Sequence, residues 1–270
     1  MRRKIQIVLF VGIVGLLTLA FAIPVAQGAA QGNACKDLPS HDELKKALVT
    51  ARKEANGGFN LDMWGTIVDR DGVVCAVAFT GKERGDQWPG SRVISAQKAN
   101  TANAFSLPGL ALSTANLFSA VQPGGSLFGL QESNPVDTGV AYGGNPENYG
   151  QPNDPMVGKR IGGVNVFGGG MALYTSDGTL VGGLGVSGDS SCADHNIAWK
   201  TRDFLALDKV PAGISATKDD NIVYDVSLND NGHSNSPSGW GHPACSDDAT
   251  KIGKALPDTH PIGSKMGPVS

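Results

Sequence analysis

The sequence predicts an α/β (α+β) domain in which helices pack on a mainly antiparallel sheet. Three observations carry that reading. Residues 61–79 and 171–186 each place β-branched or aromatic residues on both sides of an Asp-Gly turn, at Asp71-Gly72 and Asp177-Gly178, which is hairpin chemistry. Residues 40–55 and 191–207 repeat apolar side chains at helical spacing, so each presents one face to a sheet. Between the hairpins, Ser91 to Phe105 carries Ala96, Ala99 and Ala102, a small-residue surface that can approach a sheet closely.

In chain order, Arg2-Arg3-Lys4 precedes an apolar run from Ile5 to Ala22, followed by Pro24 and the small residues Ala26, Gly28, Ala29 and Ala30. That is the layout of a secretory signal peptide over residues 1–30, with cleavage expected after Gly28 or Ala30. The mature chain would have roughly 240 residues, enough for one core with a decorated tail. A formal charge of −3, from 22 basic and 25 acidic residues, gives no basic surface for nucleic acid. No second apolar run is long enough to span a membrane. The four cysteines, Cys35, Cys75, Cys192 and Cys245, all lie beyond the signal segment, an even number suited to disulfides in an oxidising compartment.

The first helix is expected to start at Ser40, whose spacing to Glu43 forms a capping box. Leu44, Ala47, Leu48, Ala51 and Ala55 then line one face up to Asn56-Gly57-Gly58. The first hairpin runs over 61–68 and 73–79, the alanine-bearing helix over 91–105, and a shorter helix over 110–121. From Pro123 to about Arg160 the chain turns to Gly, Pro and Asn, a loop either packed by its own Tyr142 and Tyr149 or closing over a ligand. The second hairpin, 171–174 with 179–186, leads through Ser187-Gly188-Asp189 to a helix for which Ser191 and Asp194 suggest the cap. Residues 208–270 read as a polar, turn-rich extension with one strand at 221–228.

The stretch GGLGVSGDSSCADHNIAW, residues 182–199, resembles the closing signature of the GlcG/HbpS-like haem-binding family. Ser95 to Ala102 is similar to that family's Lys-Ala-x-Thr-Ala helix, and Val121 to Gly125 to its Pro-Gly turn. The resemblance spans about 40–207 and implies a profilin-like domain over 31–207, noncovalent haem, and a homo-oligomer. With the signal segment it implies a periplasmic or secreted protein for capture, buffering or sensing of haem. A small organic acid is the alternative ligand, and an acid–base enzyme using Asp194, His195 and Lys98 is the alternative activity.

No Cys-x-x-Cys-His occurs, so covalent c-type haem is excluded; nucleophile-elbow, P-loop and His-Glu-x-x-His motifs are also missing. Noncovalent haem needs an apolar slot, a donor for iron and a place for two propionates. His195 and His41 are the donors considered. Lys98 and Thr101 match the family motif, with Lys98 either pairing a ligand carboxylate or capping a carbonyl or forming an internal ion pair. The loop carrying Gly185, Ser187 and Gly188 ahead of Asp194 offers backbone N–H groups at a helix N-terminus, or simply lets a strand pack under a helix. Cys192-x-x-His195 and His242-x-x-Cys245 would make a Cys2His2 zinc site if they met, while in an exported chain a Cys192–Cys245 disulfide is preferred, leaving Cys35 to Cys75. His233 and His260 are expected at the surface.

Overall fold

The computed structural model describes residues 35–228 and 234–264. The expected signal peptide and His233 lie outside the described residues. The elements are α1 (His41–Lys53), β1 (Trp64–Asp69), β2 (Val74–Phe79), α2 (Ser91–Phe105), the one-turn helices α3 (Leu130–Ser133) and α4 (Thr138–Ala141), β3 (Gly170–Tyr174), β4 (Leu180–Ser187), α5 (Ser191–Phe204), the short pair β5 (Ser227–Leu228) and β6 (Ser234–Asn235), and α6 (Asp247–Thr259).

The two hairpins lie side by side. Their inner strands pair, Gly65 opposite Val186 and Ile67 opposite Leu184, giving a four-stranded antiparallel sheet in the order β2-β1-β4-β3. Strand alternation then sorts the core into two layers. Ile67, Met171, Leu173, Leu184 and Val186 face α1 and α5, where Leu44, Leu48, Ile197 and Trp199 close the main core. On the other face Trp64, Val68 and Val77 meet Val93, Ala96 and Ala99 of α2. The approach of α2 is close because β4 shows it glycine: a β-carbon on Gly185 would run into the Ser95 carbonyl. Thr66 and Ser95 hydroxyls pair across the same contact at 2.7 Å.

α1 begins as expected, with Ser40 and Glu43 capping each other's backbone. It stops where the Asn56 side chain donates to the carbonyls of Ala51 and Glu54 at 3.0 and 2.8 Å. Residues 110–121 form two 3-10 turns, Thr114–Leu117 and Ser119–Val121, in place of the expected helix, because the Asn116 side chain accepts from the backbone and hydroxyl of Ser113 and tightens the first turn. The 123–160 loop is anchored. Arg92 of α2 forms a buried pair with Asp154 and lies 3.7 Å over the Tyr149 ring, whose hydroxyl donates to the carbonyls of Tyr142 and Gly143.

The tail departs from expectation in two elements. Only Ser227–Leu228 of the expected strand pairs, and a helix, α6, comes after it. Its sequence carries the signals: Ser246 accepts from Ala249 N–H, Asp247 and Asp248 occupy the first turn, and Ala249, Gly253 and Leu256 turn inward. Pro257 falls in the last turn, where it does not break the helix. Leu256 joins the main core, Trp199 Nε1 donates to the His260 carbonyl, and Arg202 forms a buried bidentate pair with Asp220. His260, expected at the surface, is therefore half-buried. Disulfides Cys35–Cys75 and Cys192–Cys245 pin the N-terminal segment to β2 and the tail to α5. Among the described residues no helix is long and apolar enough to cross a membrane.

Candidate functional site

Of the predicted residues, Lys98, Asp194, Ser187 and Gly188 meet at the end of β4. Ser187 ends the strand with its hydroxyl 3.1 Å from that of Ser91. The next two backbone N–H groups, of Gly188 and Asp189, donate to one oxygen of Asp194 at 3.1 and 2.8 Å. Lys98 reaches across from α2 to the other oxygen at 2.7 Å and also donates to the Val186 carbonyl at 3.0 Å. All of this is buried. Gly169, at φ +114°, brings the preceding loop close over the lysine, where a β-carbon would crowd Lys98 Nζ. Burial pulls the Lys98 ammonium down and pushes the Asp194 carboxyl up to about 6, against the opposing pull of each on the other. Of the roles open to Lys98, the carbonyl contact and the internal ion pair are the ones formed.

The cap of α5 sits one residue earlier than expected. Ser190, not Ser191, accepts from the Ala193 N–H, and Asp194 satisfies the loop rather than the helix start. Ser191 is thereby released to accept from Gly168 N–H at 2.6 Å and to meet His242 Nε2 at 2.8 Å. Asp189 turns the other way and accepts from the Phe59 and Leu61 N–H groups.

Each remaining predicted residue has a local task. Thr101 donates to the Gln97 carbonyl and accepts from Asn165 N–H. His41 places Nδ1 by Asp42 and Nε2 2.9 Å from the Gly150 carbonyl. His195 is fully buried, with Nε2 3.0 Å from Asn221 Oδ1 and 3.1 Å from Ile222 N, and Nδ1 without a hydrogen-bond partner among the described residues. Burial drives its pKa down to about 3. Desolvation lowers His242 to about 4. The two sulfurs of Cys192 and Cys245 are bonded to each other and His195 faces Asn221, so the four residues weighed as a zinc site do not meet as a Cys2His2 set.

Open space lies at the opposite end of α5. A groove of about 810 Å³ runs between α1 and the segment 204–207, floored by Leu38, Phe204 and Leu205 and edged by Lys36, Lys46 and Thr50. That volume falls within the range of small-molecule sites, roughly 300–1,000 Å³. Sequence reasoning missed it because its walls come from three chain-distant segments with no motif among them. The one signal was that Phe204 and Leu205 extend the apolar face of α5 to its very end. A second cavity, of about 190 Å³, lies between Arg52, Asn56, Gly58 and Asp189.

A family model described as haem degrading protein HbpS-like matches residues 40–202. Among solved structures, the chain is similar to a PduOC:heme complex at 26% identity and a TM-score of 0.42, covering 60% of this chain and 89% of that one. It is also similar to Klebsiella pneumoniae protein ORFY at 23% identity and a TM-score of 0.42, covering 62% and 89%. None of the curated proteins matches the chain.

Proposed function

The chain belongs to the HbpS-like family, and from that premise we propose that it binds haem noncovalently outside the cytoplasm, for capture, buffering or sensing. The match over residues 40–202 is the observation that carries this reading, since it spans both hairpins and every helix from α1 to nearly the end of α5. Two disulfides support an oxidising compartment, the expected signal segment agrees with it, and the family resemblance supports a homo-oligomer.

The motif residues do not fit haem. Lys98, Asp194, Ser187 and Gly188 are buried and engaged with one another or their neighbours, and none lines the large groove. The groove has the volume and the partly apolar lining that a flat dicarboxylate such as haem needs, which supports placing it there. Leu38, Phe204 and Leu205 offer the apolar face, and Lys36 and Lys46, which share the lining with Asp37 and Glu43, are the residues that would hold the propionates. Its described lining has no histidine, cysteine, methionine or tyrosine, so iron contact there falls to lysine nitrogen, carboxylate or water. When bound, haem supplies the redox and ligand chemistry of its iron; the protein supplies the slot and the cations.

The test is a haemin titration of the purified protein. The expected result is a saturable, shifted Soret band at a defined ratio, weakened about 10-fold or more in Lys46→Glu and unchanged in His41→Ala. Non-saturating association alone would remove the haem reading. Equal affinity in Lys46→Glu would remove the groove.

A further inference from the structure

We propose that reduction of the Cys192–Cys245 disulfide exposes a binding site for a thiophilic divalent cation such as zinc, with His242 as the third ligand. The proposal is independent of the haem reading. Cys192, Cys245 and His242 place their ligand atoms within 4.8 Å of one another. A tetrahedral zinc ion, with bonds of about 2.3 Å to sulfur and 2.0–2.1 Å to nitrogen, holds its ligands about 3.3–3.8 Å apart. Once the S–S bond is open, the sulfurs need only part to that spacing.

His242 is already oriented as a ligand. Its Nδ1 lies 2.7 Å from the Pro243 carbonyl, which can only accept, so Nδ1 carries the proton and Nε2 presents its lone pair. A ligating histidine whose other ring N–H is held by a carbonyl is the usual outer arrangement of a metal site. Nε2 now accepts from the Ser191 hydroxyl at 2.8 Å, and the ring packs 5.0 Å from that of Phe118. The cation takes the place of that hydroxyl hydrogen, and the hydroxyl or a water completes the fourth position. His195 stays with Asn221, so the set is an open Cys2His site and not the closed Cys2His2 site the spacing suggested.

The sulfurs are placed for exchange. Cys245 is exposed while Cys192 is buried in the first turn of α5, and the Cys192 N–H donates to Cys245 Sγ at 3.2 Å. A helix N-terminus and a backbone donor both favour thiolate. The reductant is a dithiol. One of its thiolates attacks Cys245 Sγ, the S–S bond breaks, and Cys192 leaves as thiolate. The second thiol then displaces Cys245, and the dithiol departs as its own disulfide, having given two electrons. Binding of the cation releases whatever protons the two thiols have taken up. Exchange with a small disulfide runs these steps in reverse, reduces that disulfide to its two thiols and expels the cation, so clamp and cation exclude each other.

The experiment uses the full chain carrying Cys35→Ser and Cys75→Ser, reduced with a phosphine and titrated with cobalt(II), then zinc. One equivalent of cobalt is expected to give thiolate charge-transfer and tetrahedral ligand-field bands that zinc abolishes. The oxidised protein should give neither. His242→Ala should weaken binding by at least the roughly 10–100-fold that loss of even an outer-shell partner costs, and His195→Ala should not. If the double serine variant does not fold, the native chain is compared with Cys192→Ser/Cys245→Ser, and the difference in bound cobalt is read. Absence of the bands in the reduced chain, or equal binding in His242→Ala, overturns the proposal.

Discussion

The two ends of α5 are built in opposite ways. At its N-terminal end the helix enters a junction where Lys98, Asp194, Gly188 and Asp189 answer one another's hydrogen bonds, Ser190 caps the helix, and Ser191 with His242 ties in the tail. At its C-terminal end Phe204 and Leu205 face α1 across an open groove. The comparison separates two uses of sequence. The glycines and polar residues of the signature assemble a rigid joint between two helices and the sheet, whereas open space lies where apolar residues are only partly covered. A motif match therefore locates the fold here more directly than the cargo.

The largest expected effect breaks the joint. Lys98→Met leaves Asp194 as a buried unpaired charge and should cost about 3–5 kcal/mol of stability by denaturant unfolding, with Lys98→Met/Asp194→Leu recovering part of it. Recovery close to wild type would show that apolar packing alone can hold the joint. Removing the Cys192–Cys245 bond frees a sequence separation of 53 and should cost about 4 kcal/mol on the chain-entropy account. A change below about 1 kcal/mol would mean that α6 and the Arg202–Asp220 pair hold the tail unaided.

Acid should loosen the same end. His195 and His242 are held neutral by burial, at about 3 and about 4, against an ordinary 6.5. Below pH 6.5 the unfolded chain binds protons that the folded chain refuses, so their contribution is present above that pH and is lost as pH falls toward 4 and 3. Asp194, raised from 3.8 to about 6, binds its proton earlier in the folded state and opposes this between those values. Two histidines against one carboxylate leave a net loss on the order of 1 kcal/mol per pH unit near pH 5. Unfolding measured from pH 7 to 4.5 should show that slope, and His195→Gln should flatten it. A pH-independent wild type would contradict the buried neutral state.

The smallest effect on stability belongs to the groove. Lys46→Glu, at its edge, should shift stability by less than about 0.5 kcal/mol while weakening haemin binding. Equal losses of stability and binding would place Lys46 in the framework rather than at a ligand.

Much of the framework was legible because local signals and tertiary demand agree in it. The Asp-Gly turns, the Ser40 cap, the alanines of α2 and the parity of the cysteines each lead to what the structure forms. The α6 helix was lost in the polar, turn-rich composition of the tail, although Ser246, Asp247 and Asp248 form an ordinary helix start there. The site was less legible for a different reason. Lys98, Asp194 and His195 are the residue types a ligand would want, but burial among chain-distant partners such as Asn221 decides their roles, and no local spacing records it.

The most direct measurement of the central claim is a map of where haemin sits, from the paramagnetic broadening of backbone amide signals in the labelled chain. The account predicts broadening centred on Lys46, Thr50, Thr175 and Leu205, with Asp194 and His195 unaffected. Broadening centred on His195 and the β4–α5 junction, with the groove amides sharp, would contradict it.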